Sequence, residues 1–257
     1  MWFKISSFFV FLYRSKNKHG IHSPFVFDLL TQCLRSTTNL EKKSKFIKIR
    51  TYFLANKQEI EVIDFGQGSS YFKGNKRKIA AIAKIAGIQI KNAHTLIRFV
   101  EYFKPKEILE IGTSIGLATA AMQIGNPKAK ITTLEGCPET STIAKKMFSK
   151  FEFKNIHLLE GNFDFTLKNA LTKKYELIFF DGNHNKKATL TYFEMCLTMV
   201  QNDSIFIFDD INWSKGMQQA WEEIKKNDLV TVTIDTYSWG IVFFRKEQEK
   251  QHFTIRV

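Results

Sequence analysis

Cysteine is scarce in this chain of 257 residues: Cys33, Cys137 and Cys196 are all there are, and no two form a Cys-x-x-Cys pair. That excludes a disulfide-stapled scaffold and a cysteine zinc site, and it fits a reducing compartment, so the expected location is cytoplasmic. Proline and glycine are also few, at 4 and 13 residues, which excludes a fibrous or low-complexity chain. No apolar run approaches the eighteen or so residues that a bilayer-spanning helix needs. At the start, MWFKISSFFVFLYRSKNKHG, the basic cluster follows the apolar stretch, the reverse of a secretory signal, and no small-residue cleavage site follows. What is present, 44% hydrophobic and 25% charged residues, describes an ordinary globular chain of one large domain or two small ones.

The net charge of +13 is unevenly held. Residues 1–106 carry 20 Lys+Arg against 6 Asp+Glu, whereas residues 107–257 carry 18 against 19. The expected organisation is therefore a basic, mainly helical N-terminal extension over 1–106 and a balanced domain over 107–257. The first segment reads either as a helix packed on the domain or as a peripheral contact with anionic lipid, given aromatic bulk beside Arg14, Lys16 and Lys18. Ser23 before Pro24 suits the N-cap of a helix. His19 and His22 lie three apart but lack a cysteine or clear acidic partner nearby, so they make a poor metal pair. The segment Asp64-Phe65-Gly66-Gln67-Gly68-Ser69 imitates a nucleotide-binding loop, but the insert YFKGNKRK separates it from the next helix. No carboxylate waits about 20 residues on to grip a ribose, so 64–69 reads as a turn. Ile79, Ile82, Ile85, Leu96, Val100 and Phe103 then recur at helical spacing.

From Glu107 short apolar runs alternate with segments of helical length: EILEI (107–111), KITTLE (130–135), NIHLLE (155–160), ELIFF (176–180) and SIFIF (204–208). LVTVTID (229–235) and WGIVFFR (239–245) flank a turn at 236–238 and read as a hairpin whose last strand lies at or near the sheet edge. The expected fold class is α/β: a doubly wound, mostly parallel, seven-stranded Rossmann-like sheet with an antiparallel C-terminal hairpin.

Ligands of such sheets bind beyond the carboxyl ends of the strands. The first strand ends in Glu110-Ile111-Gly112-Thr113-Ser114-Ile115-Gly116, where two glycines allow a turn and a close backbone approach. The second ends at Glu135, whose carboxylate can accept two hydrogen bonds from a ribose diol. The third ends in Glu160-Gly161-Asn162-Phe163, with Asn162 able to bond an adenine edge and Phe163 to stack on its face. Over about 107–245 the chain resembles class I S-adenosylmethionine-dependent methyltransferases. The resemblance implies that Glu110, Gly112, Thr113, Ser114 and Gly116 line the methionine and sugar end of the cofactor. It likewise implies that Glu135 and Gly136 hold the ribose, that Asn162 and Phe163 flank the adenine, and that Asp181 sits beside the methyl donor.

The fourth strand delivers Asp181-Gly182-Asn183-His184 and the fifth Asp209-Asp210-Ile211-Asn212-Trp213. Adjacent strands lie about 5 Å apart, so Asp181 and the 209–210 pair can converge. Three converging carboxylates suit a hard divalent cation such as Mg2+. The arrangement is similar to metal-dependent O-methyltransferases of the catechol, caffeoyl-CoA and macrolide-sugar types, which implies Asp181, Asp209 and Asp210 as metal ligands. His184 stands where the catechol type often carries a lysine base, and it is the expected proton acceptor, with Asp181 beside it. The expected acceptor is a hydroxylated small molecule. The alternative is an RNA methyltransferase whose basic 1–106 region grips phosphates, although the Asn/Asp-Pro-Pro-Tyr/Phe motif of base methylation is absent after the fourth strand.

Overall fold

A computed structural model describes residues 2–17, 20–63 and 74–257. The turn expected at 64–69, and His19, lie outside the described residues. The N-terminal part consists of α1 (Trp2–Arg14), α2 (Pro24–Asp28), α3 (Leu40–Leu54), β1 (Glu59–Glu61), β2 (Lys76–Lys78), α4 (Ile79–Ala81) and α5 (Ile90–Phe103). Wider π-helical turns continue α2 over Leu29–Leu34 and α4 over Ile82–Ala86. Then follow β3 (Glu107–Ile111), α6 (Leu117–Gly125), β4 (Lys130–Glu135), α7 (Pro138–Lys150), β5 (Ile156–Glu160), α8 (Phe163–Ala170), β6 (Leu177–Phe180), α9 (Lys186–Leu197), β7 (Ile205–Asp209) and α10 (Lys215–Lys226). The chain closes with β8 (Val232–Asp235), β9 (Trp239–Phe243) and β10 (Gln251–Thr254).

Local chemistry sets many of these boundaries. Ser23, Asn162, Asn185 and Ser214 each accept a backbone N–H at the start of α2, α8, α9 and α10, satisfying amides that a helix leaves free. The central strands are apolar on both faces because helices cover both faces. On one face Ile108, Ile131 and Ile207 share a buried cluster with Val26, Phe46, Phe53, Leu96 and Val100 from the N-terminal helices. On the other, Leu109, Phe180, Phe206 and Phe208 pack against Leu167, Phe193 and Trp221. The alternation of strand side chains sorts them between the two layers.

The sheet runs β10-β8-β9-β7-β6-β3-β4-β5. It has eight strands where the sequence suggests seven. β9 is antiparallel to both β7 and β8, so it lies between them and not at the edge. Its residues are buried throughout, which an interior position requires and an edge would not. The edge belongs to β10, parallel to β8, and Gln251–Thr254 has too little apolar patterning to announce a strand. Ile111 pairs with both Leu134 and Phe180, and Phe180 with Phe208, so β3, β4, β6 and β7 end at one level. After β3 the chain goes out through β4 and β5, then returns to the other side as β6 and β7. That reversal leaves a crevice at the ends of β3 and β6.

Helix α1 lies against the turn between β8 and β9. The Tyr237 hydroxyl donates to the Lys4 carbonyl at 2.9 Å, and the Phe8 and Phe11 rings stand 5.0 and 5.4 Å from the Tyr237 ring. The Lys16 amide donates to the Thr254 carbonyl at 2.8 Å, tying the end of α1 to β10. Among the described residues no helix is long and apolar enough to cross a membrane.

Candidate active site

The strand ends open into a cleft of about 660 Å³, within the range of small-molecule sites. Its floor depends on missing side chains. Gly112 has φ +106°, and a Cβ there would lie 2.4 Å from the Asp181 carbonyl oxygen. Only glycine lets the loops after β3 and β6 approach so closely. A Cβ on Gly182 would lie 2.7 Å from the Phe163 ring, so Phe163 rests on bare backbone, with Tyr192 edge-on at 6.1 Å. Ser114, Asn183 and Asp210 follow β3, β6 and β7, and all three have positive φ, at 51°, 56° and 55°. Such conformations persist where the surroundings enforce them, commonly at ligand sites.

Glu135 ends β4 and is held from two sides. The Ser114 amide donates to Oε2 at 2.6 Å and the Cys137 amide to Oε1 at 2.9 Å. Burial raises its pKa while these amides oppose the rise. Each oxygen keeps a further lone pair, so the carboxylate is oriented without being used up. Asn162 lines the cleft too, but its side-chain oxygen accepts from the Asp164 amide at 2.8 Å as the cap of α8.

Gly112, Ser114, Glu135, Gly136, Asn162, Phe163, Asp181 and His184 thus share one wall system, whereas Glu110, Thr113 and Gly116 do not face the cleft. Glu110 is fully buried behind the glycine loop, where the Thr119 and Thr133 hydroxyls each donate to its Oε2 at 2.5 Å. Its Oε1 has no partner, and burial pushes its pKa up to about 8. Thr113 shares a hydrogen bond with Thr133 in the same pocket of the core. Gly116, at φ +87°, starts α6 and lies against Met147 and Phe148.

The acidic residues do not gather as expected. Asp181 and Asp209 lie close enough for each carboxyl to act on the other. Burial, followed by the neighbouring carboxylate, raises Asp181 well above its ordinary pKa. Burial and then Asp210 push Asp209 up to about 8. Asp210 acts on Lys4 of α1, whose ammonium burial disfavours and Asp210 favours; its Nζ lies over the Trp213 ring. Among the described residues no three His, Cys, Asp or Glu side chains converge as a metal would require. The expected Mg2+ site at Asp181, Asp209 and Asp210 is therefore not seen among the described residues. His184 reaches the cleft with Nε2 3.6 Å from Asp181 Oδ1.

Several lining residues carry no motif. Val62, Ile63 and Ala86 come from the N-terminal part, and Ala188, Thr191 and Tyr192 from α9. The last three recur at helical spacing just after the Asp181 loop, a signal that could have placed them on the cleft side. Asn183 donates to the Tyr192 hydroxyl at 3.2 Å, linking that loop to α9.

Comparison with known proteins agrees with this reading. Residues 109–211 match the model of a methyltransferase domain. O-methyltransferase hkm8 of Aspergillus hancockii is 26% identical over 141 residues, covering 52% of this chain and 56% of that protein. The match therefore spans about half the length of the curated relative. Podospora anserina methyltransferase PaMTH1, solved with S-adenosylhomocysteine, superposes with TM-score 0.60 at 17% identity, covering 88% of this chain and 97% of its own. The Bacillus cereus O-methyltransferase, solved with the same product, gives 0.53 at 17% identity, covering 85% and 95%. Residues 109–211 thus resemble a methyltransferase domain, and the fold is the one shared by the solved S-adenosylhomocysteine-bound methyltransferases.

Proposed function

We propose that this protein transfers a methyl group from S-adenosylmethionine to a hydroxyl of a small-molecule acceptor, with His184 accepting the hydroxyl proton. The observation that carries the reading is the placement of His184 and Asp181 in the same cleft as Glu135. When bound, the cofactor supplies an electrophilic methyl group on a sulfonium. Glu135, aimed by two backbone amides, accepts the ribose hydroxyls, and Phe163 with Asn162 borders the adenine. Val62, Ile63 and Ala86, part of the 1–106 extension, cover the cleft and keep water out. An imidazole is a common proton acceptor in such transfers, and among the described residues His184 is the one in the cleft. Asp181 Oδ1, 3.6 Å from Nε2, stands where it can orient the ring.

The RNA alternative finds little support in the cleft, whose lining, among the described residues, places Glu135, Asp164 and Asp181 against one lysine, Lys187. A phosphate backbone would meet repulsion there. The chain works in the cytoplasm on this reading, where its three buried cysteines remain free thiols.

The test is transfer of a labelled methyl group to a panel of hydroxylated compounds by wild type and His184→Gln. A positioned base contributes about 100- to 10,000-fold, so the variant should lose that much turnover while binding the cofactor normally. Equal turnover would remove His184 from the chemistry. No binding of S-adenosylmethionine by wild type would remove the activity itself.

A further inference from the structure

Helix α1 is apolar nearly all round, yet only Ser7 and Phe11 are buried. A helix of that composition belongs in a core or against another apolar phase. Trp2, Ile5, Phe9 and Tyr13, spaced by three, four and four residues, form one stripe with exposures of 87, 46, 65 and 92%. The stripe lies opposite the Ser7–Phe11 face that packs on Tyr237. It runs the length of a 13-residue helix, about 20 Å. Beyond it, Arg14 and Lys16 are exposed, and no acidic residue occurs before Asp28.

We propose that α1 docks this protein on an anionic lipid surface, its Trp2–Ile5–Phe9–Tyr13 stripe entering the interface and Arg14 and Lys16 meeting the headgroups. The helix is too short to span a bilayer, and the combination of a bulky aromatic stripe with adjoining basic residues suits the boundary between acyl chains and headgroups. An anionic partner is favoured because Lys16 is exposed, Arg14 is opposed only from the body by Asp235, and the segment itself has no acidic residue before Asp28, while the cytoplasmic leaflet carries negative surface charge. RNA would use the cations but leave the aliphatic and indole surface wet. A second copy of the chain would bury the stripe but bring its cations alongside those of the first.

The arrangement links the surface to chemistry. The inner side of the same helix carries Lys4 over Trp213, beside the loop that follows β7. Docking would therefore bring the loop that follows β7 toward the membrane.

The experiment is co-sedimentation of the full chain with vesicles of phosphatidylcholine containing about a third phosphatidylglycerol, and with phosphatidylcholine alone. Wild type should bind the anionic vesicles at least about tenfold more strongly and release them as salt rises. Replacing Arg14 and Lys16 by Gln should weaken binding by about fivefold per charge. The pair Phe9→Glu and Tyr13→Glu should abolish binding while leaving cofactor affinity unchanged, because both side chains point away from the body. Vesicle binding by the double Glu variant equal to that of wild type would overturn the proposal. So would a wild type that ignores both vesicle types, whether it forms a dimer through α1 on light scattering or binds RNA instead. Because the readout is sedimentation, it stands whether or not methyl transfer is found.

Discussion

Replacing Glu110 by Gln tests how the core beneath the cleft is charged. Burial lifts the Glu110 carboxyl from its ordinary 4.5 to about 8, so between those pH values the folded protein holds a proton that the unfolded chain has released. Stability then depends on pH with a definite sign. The contribution is complete below about pH 4.5, declines as pH rises, and is gone above about pH 8. Each unit corresponds to about 1.4 kcal/mol, so moving from about pH 5.5 to about pH 7.5 should cost wild type on the order of 2.5 kcal/mol from this residue alone. The Gln carbonyl can still accept from Thr119 and Thr133. Its amide would occupy the place of Oε1, which has no partner, adding a fixed penalty of about 1–3 kcal/mol at every pH. The variant is thus expected to be the less stable protein in acid but to have the flatter profile. Urea unfolding of both proteins at the two pH values measures the difference of slopes, in which the other raised carboxyls cancel. Identical slopes would refute the reasoning and mean that Glu110 is ionised in the fold or solvated in a way its burial does not suggest.

Glu135→Ala should weaken S-adenosylmethionine binding by about 10- to 150-fold on calorimetry, the loss of a charge-assisted bond to a sugar hydroxyl; unchanged affinity would detach Glu135 from the cofactor. Gly112→Ala combines a strained φ with a Cβ 2.4 Å from the Asp181 carbonyl oxygen, so denaturant unfolding should show a loss of about 2–5 kcal/mol, and wild-type stability would show that the loops can part freely. Because Asp181, Asp209 and Asp210 do not gather as a metal-binding group among the described residues, methyl transfer should continue in excess EDTA, and abolition restored specifically by Mg2+ would reinstate the metal.

The strands were legible where the sheet is buried on both faces. EILEI and KITTLE correspond to β3 and β4 residue for residue, because their short runs of Ile, Leu and Thr are bounded by charged residues and turns. β10 was not, since this edge strand, with its exposed residues, has no such run. At the site, spacing could place carboxylates at strand ends but could not say which way they face. Glu110 and Glu135 look alike in sequence, yet the first turns into the core with Thr119 and Thr133 while the second turns to the cleft. The basic excess of 1–106 also misleads. Arg98 donates to the Cys33 and Leu34 carbonyls and Arg50 to the Ile88 carbonyl, so some of those cations satisfy backbone between helices and reach no partner outside.

The bond from Tyr237 to Lys4 joins residues 233 positions apart, and the Lys16 amide reaches β10 near the other end of the chain. A ribosome delivers α1 first and its resting place last. Throughout that interval an apolar helix lacks its Tyr237 and β10 contacts, and closing them requires ordering a loop that includes the entire sheet, the kind of non-local step that slows folding. The chain is therefore most prone to aggregation during its own synthesis, before Tyr237 has been made. Truncation after β7 should leave nascent chains with α1 open to chaperones or to any lipid surface within reach.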